Sequence, residues 1–111
     1  MNNLLQKLIS NPGSLKKEES EKLLEELRQE VNDIDIQIGH LLLHRIKTGF
    51  YIARVKRLLK LPSYSPEREE KILESILSLT SDDQSRKILK NIYERIIDES
   101  RGIQKLRTDD E

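Results

Sequence analysis

Cysteine is absent from this sequence, which removes any disulfide framework and any thiolate chemistry. Tryptophan is absent too, with one phenylalanine and three tyrosines, so stacking on exposed bases is not open to it as a mode of binding. Neither sign of charge dominates: 20 lysines and arginines balance 20 aspartates and glutamates. No global field therefore draws the chain to nucleic acid or to a membrane surface, and any anion binding must come from local arrangement. No apolar run approaches a membrane span, and the opening Met1-Asn2-Asn3-Leu4-Leu5-Gln6-Lys7 lacks the apolar core of a signal peptide. A cytoplasmic protein is expected. No phosphate loop, β pattern or internal repeat is present. His40 and His44 stand four apart, a spacing that can hold zinc, but no third ligand lies nearby and no metal is expected.

Charge and helical periodicity are what the chain has in quantity. Charged residues make up 36% and hydrophobic ones 35%, the balance of thin, solvated helices in a single domain. Leu24, Leu27, Val31, Ile34, Ile38, Leu41, Arg45, Thr48, Ile52, Val55 and Leu59 alternate spacings of three and four. That pattern predicts one continuous helix with a coiled-coil-like seam. At about 1.5 Å per residue it spans roughly 54 Å, against a diameter of about 26–28 Å for a compact domain of this size. Two shorter helices cannot cover such a stripe, so a partner chain is expected.

The remaining elements read off their punctuation. Residues 1–13 form an N-terminal extension with one amphipathic turn through Leu4, Leu5, Leu8 and Ile9, closed by Asn11-Pro12-Gly13. A loosely ordered extension is expected there rather than a docking segment, and a helical domain over 14–111. Ser14 is a candidate cap for the long helix, which continues to about Lys60. Leu61-Pro62-Ser63-Tyr64-Ser65-Pro66 breaks the chain. Ser65 as N-cap, Pro66 at the first position and Glu67 at the positive end then start a second helix, which runs to about Leu79 and buries Ile72, Leu73, Ile76 and Leu77. Ser81 with Gln84 makes a capping box for the third, which carries Ile88, Leu89, Ile92, Tyr93, Ile96, Ile97, Ile103 and Leu106 at helical period. The expected fold is all-α, with three helices of very unequal length.

Arg45 and Thr48 interrupt the apolar seam. A buried arginine is costly unless it meets an anion. It reads either as a register-setting polar residue or as part of a cationic pocket between helices. Lys56 is 11 residues on, which puts it within about 20° of Arg45 on one face, with Cα atoms roughly 16 Å apart. Two long side chains leaning inward from there could grip one small dianion. Arg28 lies about 25 Å before Arg45 and about 100° round the helix, so it can share that ligand only from the antiparallel helix of a partner chain. Arg68 and Glu69 open the second helix, and Ser100 and Gln104 stand four apart beside the third helix's stripe. A helix-start salt bridge and a solvent-facing pair are the plainer explanations of these two pairs taken singly.

Taken in order, the motifs resemble a known family. Leu27-Arg28-Gln29-Glu30-Val31-Asn32-Asp33-Ile34-Asp35 is similar to the opening motif of the all-helical chorismate mutases. So are Leu41-Leu42-Leu43-His44-Arg45, Ile52 through Lys56, Pro66-Glu67-Arg68-Glu69-Glu70, and Ile96-Ile97-Asp98-Glu99-Ser100-Arg101-Gly102-Ile103-Gln104. The resemblance covers about residues 24–106 and implies an intertwined homodimer. It also implies rearrangement of chorismate to prephenate, a pericyclic step with no cofactor, within aromatic amino-acid biosynthesis. Carried over by position, the pocket holds Arg28 of the partner chain with Arg45, Lys56, Glu69, Ser100 and Gln104, and Arg68 in support. The implied roles are carboxylate binding by the arginines, ether-oxygen stabilisation by Lys56 and Gln104, and acceptance of the ring hydroxyl's hydrogen bond by Glu69.

Two substitutions depart from the family pattern. Ser65 stands where aspartate is usual before the second helix, and Asn32 replaces the first aspartate of the opening motif. An isochorismate pyruvate-lyase would share the fold and the dianion grip, and a non-catalytic helical dimerisation or regulatory module would share the fold alone. Retention of every pocket cation and of Gln104 speaks for the mutase against that last alternative.

Overall fold

The computed structural model describes the backbone of residues 3–110 and the side chains of residues 3–103 and Lys105. All of its regular structure is helical: α1 (Asn3–Ser10), a 3₁₀ turn at Pro12–Ser14, α2 (Lys17–Leu58), α3 (Pro66–Leu77) and α4 (Asp83–Asp110). The three expected helices are α2, α3 and α4, and no strand occurs among the described residues. A fourth helix, α1, lies in the N-terminal extension and includes Leu4, Leu5, Leu8 and Ile9 of the expected amphipathic turn. By contact, the chain forms two compact units, Met1–Leu42 and Leu43–Glu111, and α2 contributes to both.

In the first unit, Lys7 of α1 pairs with Glu19 in the first turn of α2 at 3.1 Å. The same glutamate accepts a hydrogen bond from the Lys16 backbone N–H at 3.1 Å, which satisfies one of the amides that a helix start leaves open. Ser14 does not cap α2: the 3₁₀ turn diverts its Oγ to the Asn11 carbonyl at 2.8 Å, and the helix begins three residues later. Leu23 is buried here, while Leu24, Val31, Ile34, Ile38 and Leu41 of the seam are exposed.

The second unit packs the end of α2 with α3 and α4. Lys60 closes α2 in the left-handed region, with φ 57°. Its N–H bonds the Arg57 carbonyl and the Leu61 N–H bonds the Lys56 carbonyl, the pairing of a Schellman stop with lysine in the place glycine usually takes. Ser65 caps α3 as expected, accepting from the Arg68 N–H at 3.4 Å, with Pro66 at the first helical position. At the far end of α3, Arg86 reaches back from α4 and donates to the Leu77 and Thr80 carbonyls. The α4 cap falls one residue beyond the predicted box: Asp82, not Ser81, accepts from the Ser85 N–H, at 2.9 Å. A carboxylate wins this place because its charge also faces the positive helix end, and the Ser85 bonds hold its pKa below the ordinary value.

Ala53 and Ile97 are buried in this unit. Ile72, Leu73, Ile76 and Leu77 of α3 are half-buried rather than buried, because among the described residues α3 packs closely against α4 alone, with the cavity between it and α2. Ile52 and Val55 of α2, Leu59 just beyond its end, and Ile88 and Ile92 of α4 remain exposed. Such a run of bare aliphatic side chains far exceeds the scattered apolar residues of an ordinary surface.

Candidate active site

A cavity of about 640 Å³ lies among α2, the 61–65 loop, α3 and α4 of the second unit. Five residues singled out by sequence reach it from separate elements: Arg45 and Lys56 from α2, Arg68 and Glu69 from α3, and Ser100 from α4. Helical period explains the first pair, since Arg45, Thr48, Gly49, Ile52 and Lys56 form one line on α2, and all five line the cavity. Gly49 leaves room on this line: a Cβ there would meet Ile103 at 3.8 Å, an ordinary contact.

Arg45, at the gap in the seam, lines this cavity. Its Nη1 donates to Ser100 Oγ on α4, and its guanidinium stands 5.8 Å from the centre of the Tyr93 ring. Ser100 in turn donates to the Ile96 carbonyl at 2.9 Å. The arginine is thus held across the cavity wall, with donors left over for an anion. Lys56 is tied at both ends: its carbonyl accepts from Leu61, and its Nζ donates to the Ser63 carbonyl at 3.1 Å. The proline loop is folded back over this lysine, so the ammonium stays at the cavity edge rather than ranging into solvent.

Glu69 has a partner that sequence reasoning missed. Arg101 grips both carboxylate oxygens, Nε to Oε2 at 2.8 Å and Nη2 to Oε1 at 2.6 Å. The hydrogen bonds of Arg101 lower the Glu69 pKa first, and the nearby Lys56 charge adds to them against the opposing effect of burial. The same pair pushes the Arg101 pKa further up. The local signal for Arg101 is a surface ion pair with Asp98, three residues back, at 3.6 Å, and nothing in it points to a glutamate 32 residues away. Arg68 contributes to the lining, but the fork on Glu69 belongs to Arg101 and not to its neighbour.

Arg28 is not among the residues that line the cavity. It is exposed on α2 and belongs to the first unit. The Gln104 side chain lies outside the described residues. No three potential metal ligands gather anywhere among the described residues, and no described helix is long and apolar enough to cross a membrane.

Fold and cavity together define a helical protein that collects Arg45, Lys56, Arg68 and Arg101 around one small pocket, an excess of positive charge suited to a compact dianion. Comparison with known proteins makes the assignment specific. The sequence profile of chorismate mutase type II matches residues 27–105. A bifunctional chorismate mutase/prephenate dehydratase from Aquifex aeolicus (strain VF5) is 36% identical over 86 residues, which cover 74% of this chain and 24% of that protein. No solved structure matches the chain. The chain belongs to the chorismate mutase type II family. It spans about a quarter of the length of the bifunctional relative.

Proposed function

We propose that the cavity binds chorismate and rearranges it to prephenate without a cofactor or a covalent intermediate. The observation that carries this assignment is the meeting of Arg45, Lys56, Arg68, Glu69 and Ser100, from three helices, around one pocket of a chorismate mutase family chain. Arg45, braced by Ser100, takes one substrate carboxylate. Lys56 and Gln104 stabilise the negative charge that grows on the ether oxygen as its bond to carbon lengthens. Glu69 accepts the hydrogen bond of the ring hydroxyl, and Arg101 keeps its carboxylate ionised to do so. No proton needs to leave the protein. A millionfold acceleration corresponds to about 8 kcal/mol. Two preorganised donors at about 3–4 kcal/mol each, with the substrate held in its reactive conformer, supply that amount.

We further infer a symmetric homodimer in which Arg28 of one chain binds the substrate in the other chain's pocket. Support comes from the bare seam: Val31 is 53% exposed, Leu41 68% and Val55 53%, a stripe that a second copy in antiparallel register would cover. The chorismate-consumption assay by absorbance, with the product identified as prephenate, tests the activity. Release of pyruvate from isochorismate, offered separately, would assign the lyase reaction instead. Inertness toward both substrates would leave only a helical interaction module.

A further inference from the structure

Arg101 is the most constrained guanidinium of the cavity, although it is close to half-exposed. Its Nε and Nη2 edge forms the two-bond fork on Glu69, its Nη1 lies 3.6 Å from Asp98, and its face lies 4.7 Å from the centre of the Tyr64 ring. An exposed arginine ordinarily ranges over many rotamers, and locking it is entropically unfavourable. Here three separate groups lock it. They belong to α4 (Asp98), to the loop before α3 (Tyr64) and to the first turn of α3 (Glu69). A guanidinium held on one edge, one corner and one face can turn only if all three contacts break together.

Resting on the mutase assignment above, we propose that Arg101 is a positioning residue for Glu69. Its clamped fork fixes the plane of the carboxylate so that the remaining lone pairs face the cavity and receive the substrate's ring hydroxyl. The geometry leaves room for this role, because each carboxylate oxygen has two acceptor positions and Arg101 takes one on each. The charged groups around Glu69 are Arg101 from α4, Lys56 from α2, and Glu67 and Arg68 beside it on α3. Among the described residues, only Arg101 contacts both oxygens. Tyr64 plays a matching part, closing the guanidinium's open face and so keeping the fork in the plane of the carboxylate.

A double-mutant cycle on the full chain separates positioning from direct substrate contact. Wild type, Arg101→Met, Glu69→Gln and the double variant are assayed for kcat/KM with chorismate. Arg101→Met should lower kcat/KM at least about tenfold, yet by less than about twofold in the Glu69→Gln background, because there the group it orients is already altered. Arg101→Lys should recover only part of the loss, since an ammonium cannot present two parallel N–H donors. It also keeps the charge and the stem, and it carries the comparison if the methionine variant does not fold. Carbon-13 titration of the Glu69 carboxyl, which needs no activity, should show its midpoint rising toward the ordinary glutamate value in Arg101→Met. An equal cost of Arg101→Met in both backgrounds overturns the inference, and so does an unmoved Glu69 midpoint. Wild-type protein that leaves chorismate untouched overturns the mutase assignment and this inference with it. An active wild type with additive variants overturns this inference alone.

Discussion

Replacing Arg45 by alanine should abolish most of the activity while leaving the protein folded, and the two effects can be sized separately. Arg45 faces the cavity with one donor committed to Ser100. A guanidinium gripping a carboxylate through two charge-assisted hydrogen bonds, at about 1.5–3 kcal/mol each, gives a loss of about 3–6 kcal/mol. That is a fall of about 10²–10⁴ in kcat/KM. The structural loss is smaller. Ser100 Oγ keeps its bond to the Ile96 carbonyl, so no buried hydroxyl is orphaned. The contact with Tyr93, at 5.8 Å, is near the limit of a useful cation–π interaction. A cost of about 1–2 kcal/mol to the fold follows, equivalent to about 5–10 °C in Tm for a chain near this length. Steady-state kinetics on the variant, with thermal denaturation beside it, gives both numbers. Activity within about threefold of wild type would show that the carboxylate grip lies elsewhere. A collapse of Tm matching the lost activity would make Arg45 a structural residue.

Light scattering should return twice the chain mass of 13.0 kDa, and a monomer at micromolar concentration would remove the trans role of Arg28. Mixing Arg28→Ala with Arg45→Ala chains should restore about a quarter of the wild-type rate per chain, because about half the dimers are mixed and each has one intact site of two; no recovery after verified subunit exchange would place both arginines in one chain's site or Arg28 outside it. Ser65→Ala should destabilise α3 by about 0.5–1 kcal/mol, the lower part of the range for lost caps, given the long 3.4 Å bond; an unchanged Tm would show that the cap contributes nothing. Because the folded pKa of Glu69 lies below its unfolded value, its contribution to stability is present above the ordinary glutamate pKa and is lost as pH falls through the lowered one. Acid denaturation of Arg101→Met should therefore lack this component, and identical acid transitions in the two proteins would refute it.

Much of this site was legible because it is written in helical period. Arg45 and Lys56 share a line on α2, and the Pro62–Pro66 break places Arg68 and Glu69 at the head of α3. Periodicity also delimits α2 and α3 closely. Local competition between caps was harder to read: Ser81 and Asp82 are both good N-caps, and only the folded turn shows that Asp82 wins. Only one turn of α1 was legible, because a short amphipathic segment is marginal alone, and the ion pair that ties it to α2 joins Lys7 to a residue 12 positions on. Arg101 escaped for a related reason. Its local partner Asp98 is an ordinary neighbour on the same helix, whereas the partner that gives it significance sits at the start of another.

The bare stripe of α2 bears on how the protein behaves when scarce. Among the described residues only Leu23, Ala53 and Ile97 are buried apolar side chains, too few to sustain a lone chain against its conformational entropy. In the proposed dimer, folding and association then become one equilibrium, governed by total protein as well as by temperature. Each tenfold dilution would cost such a dimer about 1.4 kcal/mol of apparent stability. Specific activity would fall in dilute solution, and a binder of the assembled pocket would counter that fall by drawing chains together. For such an enzyme, abundance is itself a variable of structure.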